Sequence, residues 1–289
     1  MLTNRLPFRA AFAAFALSTL AAFAQPILQD GDTLAFLGDS ITQFGKDTPS
    51  GYVRLVLSGL EANGIKVTPI FAGISGHKSN DMLARVDRDV LDKDPKPAVM
   101  TLSCGVNDVW HGARGVELEP YKENITQILD KAIAAGVKPV ILTATMIRED
   151  AGNNENRKLA AYNDFLRELA AERDLPLADL NADMQAAIAA AKESGAARDN
   201  GGNYLTSDGV HMAAPGNRLM AVGVLRALGL DDGQIEKAKE AWLDIPNAVR
   251  MNLGPLLTLR EYDAVAVKAA AEGKTVQQFL TDLVQDAVK

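Results

Sequence analysis

The sequence of 289 residues has a single cysteine, Cys104, so it cannot form an intramolecular disulfide and must depend on a packed core for stability. It has three histidines, His77, His111 and His211, none at a metal-binding spacing such as H-x-x-x-H. No metal site is therefore expected. Beyond the N-terminal segment no apolar run reaches the roughly 20 residues a membrane-spanning helix needs. There is no internal repeat, no low-complexity tract and no linker rich in Pro, Gly or Ser. Basic residues are outnumbered by acidic ones, 30 to 37, for a net charge of −7. A chain this acidic is a poor partner for nucleic acid or anionic lipid.

The N-terminal segment differs from the rest. It carries Arg5 and Arg9, no acidic residue before Asp30, an apolar run from Ala10 to Ala24, and Ala22-Phe23-Ala24 ahead of Gln25-Pro26. A basic start, a short apolar stretch and an A-x-A site predict a cleaved secretory signal over residues 1–24. Its removal takes away two arginines and lowers the net charge from −7 to −9. The expected location is the periplasm or the cell exterior, with no stable membrane insertion after cleavage.

Short apolar runs then alternate with longer helical patterns. Strands are expected at Thr33–Leu37, Lys66–Phe71, Ala98–Ser103, Val137–Ala144 and Leu175–Asp179. The runs are nearly continuously apolar, as parallel strands covered on both faces require. Helices are expected at Tyr52–Asn63, Ser79–Leu91, Pro120–Ala135, Asn153–Arg173 and Pro215–Leu228. This alternation implies right-handed crossovers and a parallel sheet. Such a sheet binds ligands outside the carboxyl ends of its strands. Residues 25–229 read as one α/β domain. Residues 230–289 read as a helical extension: a charged helix at Asp231–Leu243, an apolar turn or short strand at Leu253–Leu259, and helices at Arg260–Ala271 and Thr275–Val288. The segment from Leu256 to Val284 faintly resembles a ribbon-helix-helix DNA-binding unit. However, residues 251–289 hold four basic and five acidic side chains, so packing or oligomerisation is the better expectation for it.

Polar residues cluster at the expected strand ends. The first strand runs into Gly38-Asp39-Ser40, where glycine permits a sharp turn. Taken alone this is also an ordinary helix N-cap. Near the other end, Ser207-Asp208-Gly209-Val210-His211 precedes a helix. Asp208 and His211, three apart on one loop, can lie side by side, so that the carboxylate orients the imidazole as a proton acceptor for Ser40. Ile74-Ser75-Gly76-His77-Lys78 follows the second strand and Gly105-Val106-Asn107-Asp108 the third. The Gly76 N–H, the Asn107 amide and the Ser40 N–H are suitable donors for a developing oxyanion.

Together the four loops resemble the SGNH (GDSL-like) hydrolase superfamily, which carries Ser, Gly, Asn and His in four ordered blocks. Ser40 stands in Gly-Asp-Ser, Gly76 in Ile-Ser-Gly, Asn107 in Gly-Val-Asn-Asp and His211 in Asp-x-x-His. The resemblance spans Thr33 to Leu228. It implies a flavodoxin-like three-layer α/β/α sandwich with about five parallel strands in order 2-1-3-4-5. It also implies Ser40 as nucleophile, His211 as base, Asp208 as its orienting partner, and an oxyanion hole of Ser40, Gly76 and Asn107, with no metal or organic cofactor. The implied activity is ester hydrolysis through an acyl-enzyme, with an O-acetylated carbohydrate as the first substrate expected. The alternatives are a lipid ester or thioester, or a silent glycan-binding module. One departure is His77-Lys78 after Gly76, where many relatives have a small or acidic residue. Asp39, His77, Lys78, Trp110 and His111 are expected around the substrate, although surface or packing roles suit the last four equally. Cys104 reads as a small buried hydrophobe, and Arg54 and Arg85 as solvated helix positions.

Overall fold

The computed structural model describes residues 26–196, 202–246 and 259–289. The expected signal segment lies outside these residues, as does nearly all of the apolar segment Leu253–Leu259. Five parallel strands form one sheet: β1 (Thr33–Gly38), β2 (Thr68–Gly73), β3 (Val99–Ser103), β4 (Lys138–Leu142) and β5 (Leu177–Ala178), in the order β2-β1-β3-β4-β5. The helices are α1 (Ser40–Asp47), α2 (Tyr52–Ala62), α3 (Ser79–Leu83), α4 (Val106–Trp110), α5 (Leu118–Ala134), α6 (Asn154–Glu172), α7 (Leu180–Ser194), α8 (Ala214–Ala227), α9 (Asp232–Leu243), α10 (Leu259–Ala271) and α11 (Val276–Ala287).

Helix contacts sort into two sets, one of α1, α2, α7, α8 and α9 and one of α3 to α6, giving the sandwich its outer layers. The two central strands explain the continuous apolar runs: every residue of β1 and β3 is buried. β2, at the sheet edge, is more exposed. It tolerates Pro69 because an edge strand has one side free of ladder bonds. β2 begins two residues later than expected because Lys66 is engaged in the preceding turn, where its N–H donates to the Asp30 carboxylate and its carbonyl accepts from Gly31. β4 ends at Leu142 rather than Ala144. There the Ala144 N–H passes to the side chain of Asn163, which takes over from the ladder.

The expected helix over residues 79–91 is broken into α3 and a π-helical turn at Asp87–Leu91. The interruption falls around Arg85, whose side chain turns into the protein. Three helices carried no clear expectation: α1, α4 and α7. For α7 a signal existed, since Asp179 caps its N-terminus by accepting from Ala182 and Gly195 ends it in the left-handed region. Beyond residue 229, α9 packs on α2. Ile235, Ala238 and Trp242 are buried, the Trp242 indole donates to the Leu55 carbonyl, and the Asn63 amide donates to the Gln234 carbonyl. α10 and α11 pack on each other, with Ala269 and Phe279 buried between them.

Candidate active site

β1 ends in Gly38, and the chain enters α1 at once. A Cβ at Gly38 would come within 2.1 Å of Thr42 Oγ1, so only glycine lets the first turn of α1 sit so close to the strand. Asp39 caps this helix, accepting from the Ile41 N–H at 2.9 Å. Ser40 is the first helical residue, and its own N–H has no acceptor within the protein among the described residues.

Residues 205–213 form a braced loop ahead of α8. Thr206 and Met212 pair as an antiparallel bridge, and Ala213 N–H donates to the Leu205 carbonyl. Within it, Asp208 Oδ1 accepts from the Val210 and His211 N–H groups at 3.0 and 2.8 Å. Its Oδ2 meets His211 Nδ1 at 2.6 Å, and His211 Nε2 lies 2.9 Å from Ser40 Oγ. A carboxylate can only accept, so Nδ1 is the protonated nitrogen and Nε2 presents its lone pair to the Ser40 hydroxyl. Burial pushes the Asp208 carboxyl up, but the bonds from the His211 ring and the two backbone donors outweigh it. The result lies below the usual carboxylate value. Ser40 is buried, while the Asp208 side chain is half exposed at 51%.

The other two motif loops converge on the same sheet edge. Gly76 adopts φ +78°, a left-handed conformation that favours glycine, and its N–H has no protein acceptor among the described residues. Asn107, buried in α4, donates from Nδ2 to the His77 carbonyl at 3.0 Å and to Asp39 Oδ2 at 3.4 Å. The neighbouring Asp108 accepts from the N–H and hydroxyl of Ser79 and so fixes α4 to α3. Three donors at the carboxyl ends of β1, β2 and β3, with the Ser40–His211 contact beside them, are the kinds of group that acyl transfer requires.

The residues expected around the substrate separate into groups. Asp39 is 2% exposed and lies beneath the site, where it caps α1, rather than in a pocket wall. Lys78 bonds Asp81 by its N–H and forms an ion pair with it at 3.3 Å. His77 is held through Nδ1, which accepts from Arg85 Nε at 3.0 Å. Desolvation, then the adjacent Arg85 charge, lowers the His77 pKa. Trp110 is partly exposed, with its ring 6.4 Å from that of His211 and 5.9 Å from that of His111.

Two residues escaped the reading of the sequence. Phe44 stands 4.9 Å from the His211 ring, 42% exposed. It lies four residues after Ser40, on the same face of α1. Arg85, expected in solvent, is buried. It donates to the carbonyls of Gly38 and Ala72 at 2.9 Å each, to Asp89 and to His77, and so ties β1, β2 and the Gly76 loop together. Its i+3 spacing from buried Met82 was the available signal.

A cleft of about 230 Å³ lies beside the pair, lined by Ile41, Phe44, Ser207, Asp208, His211 and Met212 among others. A larger cavity of about 440 Å³, between α7, α8 and α9, contains no nucleophile–base pair and is not the candidate site. Among the described residues no cluster of His, Cys, Asp or Glu suits a metal ion.

Burial raises the Asp39 pKa to about 6, only partly offset by the Ile41 N–H, against an ordinary value of 3.8. The folded protein therefore holds this proton more tightly than the unfolded chain. The resulting stabilisation is complete below about pH 4 and is lost as pH rises through about 6. A difference of this size is worth roughly 3 kcal/mol at most. Asparagine can still accept from the Ile41 N–H. Asp39→Asn is thus expected to flatten the pH dependence of urea stability between pH 4 and 7 and to be the more stable protein at pH 8. Parallel stability curves for both proteins would refute this.

Residues 36–219 match the model of the GDSL-like Lipase/Acylhydrolase family. The chain is 25% identical over 224 residues to an acetylxylan esterase of Geobacillus stearothermophilus, covering 70% of this chain and 95% of that protein. It is 28% identical over 171 residues to an uncharacterized lipoprotein of Bacillus subtilis (strain 168), covering 50% and 70% respectively. Among solved structures, the acetyl xylan esterase AlAXEase superposes with a TM-score of 0.60 at 30% identity, covering 68% of this chain and 98% of that one.

Proposed function

The chain belongs to the GDSL-like lipase/acylhydrolase family, and on that premise we propose that it is an exported serine esterase that removes acetyl groups from O-acetylated carbohydrate. The observation that carries this reading is the continuous chain Asp208–His211–Ser40, with contacts of 2.6 and 2.9 Å.

The proposed reaction follows from that geometry. Ser40 Oγ bonds to the ester carbonyl carbon as its proton passes to His211 Nε2. The carbonyl oxygen becomes an anion, received by the N–H groups of Ser40 and Gly76 and by Asn107 Nδ2. For this the amide pivots about its bond to the His77 carbonyl, so that the proton making the long contact to Asp39 is redirected to the oxyanion. The carbon–oxygen bond to the sugar then breaks, and His211 returns its proton to the leaving hydroxyl. Water, deprotonated by His211, attacks the acyl-enzyme. Acetate leaves, and Ser40 regains its proton. No metal or organic cofactor enters these steps.

Three observations support the finer parts of the reading. Two relatives are named acetylxylan esterases. The exposed rings of Phe44 and Trp110 lie 4.9 and 6.4 Å from the ring of His211, the group that must protonate the leaving alcohol, and aromatic faces suit the apolar faces of a sugar. The basic and apolar N-terminus ending in Ala22-Phe23-Ala24 supports export, as does the lipoprotein relative.

Acetate release from acetylated xylo-oligosaccharides tests the substrate class, together with rates on p-nitrophenyl acetate, butyrate and octanoate. Acetate release is expected, with kcat/KM falling about tenfold or more from acetate to octanoate. A preference for octanoate would overturn the carbohydrate reading in favour of a lipid ester.

A further inference from the structure

The Asp208–His211 pair stands on a loop, and what holds that loop is a residue outside the four motifs. Glu149 follows β4 in a connection between sheet and α6. Its side chain is buried, with the residue 7% exposed. Oε1 accepts from the Leu205 and Thr206 N–H groups at 2.8 and 2.7 Å and from Thr206 Oγ1 at 2.7 Å; Oε2 accepts from the Tyr204 N–H at 2.7 Å. Among the described residues no Lys or Arg pairs with this carboxylate. Four donors on two oxygens satisfy it instead, each bond strengthened by the charge.

The surrounding backbone is shaped for this contact. Arg148 and Glu149 both adopt positive φ, 61° and 45°, a conformation that non-glycine residues seldom take and that the surrounding contacts must hold. The conformation lets Arg148 N–H donate to the Gly209 carbonyl at 2.6 Å while the next side chain reaches residues 204–206. The turn is itself anchored: Asn156 bonds both the N–H and the carbonyl of Ile147, and Asn153 bonds the same carbonyl. The loop bearing Asp208 and His211 is therefore gripped twice, at its first limb by the Glu149 carboxylate and at its tip by the Arg148 N–H. This matters because the Asp208 side chain is half exposed and, among the described residues, its hydrogen bonds stay within its own loop.

We propose that Glu149 is a positioning residue for the esterase reaction, holding residues 204–206 so that Asp208 and His211 stay in line with Ser40. The proposal rests on the serine esterase reading. Glu149→Gln keeps the length and shape of the side chain but turns an NH₂ group toward at least one backbone N–H. Kinetics on p-nitrophenyl acetate, thermal melting and the deshielded proton NMR signal of His211 Nδ1–H would be compared for the wild type, Glu149→Gln, Thr206→Val and Ser40→Ala. Thr206→Val removes one donor and preserves volume, so it serves even where Glu149→Gln fails to fold. A misplacement of this kind is expected to lower kcat about 10- to 100-fold in Glu149→Gln and about threefold or more in Thr206→Val. KM should stay within about twofold and the Nδ1 proton signal should weaken or vanish. Folded variants with wild-type kcat and an intact Nδ1 signal, whatever their melting temperature, would overturn the proposal and leave Glu149 a purely structural residue. So would an unfolded Glu149→Gln accompanied by a folded Thr206→Val of wild-type kcat. Failure of the underlying reading is distinct: it would show as full activity in Ser40→Ala.

Discussion

Replacing Ser40 by alanine is expected to lower kcat on p-nitrophenyl acetate by about 10³-fold or more while leaving the fold intact. The argument is geometric. Ser40, His211 and the Asp208 carboxylate form one line, so on the proposed reading the unit fails when any link is removed. The rate that remains is that of water attacking an ester held by the oxyanion donors. His211→Ala is expected to fall to a similar level, and the double variant Ser40→Ala/His211→Ala little further, because groups acting as a unit are not additive. Circular dichroism and melting should match the wild type, since the change removes one hydroxyl at the first turn of α1. Equal rates in wild type and Ser40→Ala would dismiss Ser40 as nucleophile. Inactivity of every protein on both aryl esters and acetylated glycans, with glycan binding retained, would instead favour a silent binding module.

The second large effect concerns stability. Arg85→Met is expected to destabilise the protein by about 3–5 kcal/mol, because it leaves buried acceptors without their donor. The guanidinium satisfies the Gly38 and Ala72 carbonyls at the ends of β1 and β2 and meets Asp89 and His77. A methionine replaces the aliphatic stem as far as about Nε, leaves the guanidinium's place empty and donates nothing. Melting should fall on the order of 10 °C. Arg88→Met is the control: Arg88 also pairs with Asp89, but its side chain is 75% exposed. Such an exposed pair contributes little, so Arg88→Met should melt close to the wild type. An Arg85→Met protein that melts with the wild type would show that the two carbonyls find other donors.

Much of the fold was legible because its cause is periodic. β1 and β3 are buried on both faces, and continuous apolar runs such as Leu34-Ala35-Phe36-Leu37 announce this directly. The helix stops at Gly136 and Gly229 follow from local backbone preference. The boundaries that moved did so for tertiary reasons. Lys66 was drawn into the Asp30 turn, and Ala144 was taken over by Asn163, a residue 19 positions later. Neither partner could be identified from a window along the chain.

The candidate site divides in the same way. The local chemistry was determined by the sequence: a glycine-permitted turn into Asp39-Ser40, an Asp–His spacing that closes on itself, and donors at Gly76 and Asn107. What the tertiary structure alone decided was which distant groups meet. It placed His211 Nε2 on Ser40 across 171 residues, set Phe44 beside the imidazole, took Asp39 and Arg85 out of solvent, and gave residues 204–206 to Glu149. The physical reason is that spacing along a chain governs contacts within a turn or a helix. Burial and long-range hydrogen bonding, by contrast, depend on how the layers pack, and the same Asp, Arg or Glu reads as an ordinary surface charge until the sheet and its helices close around it.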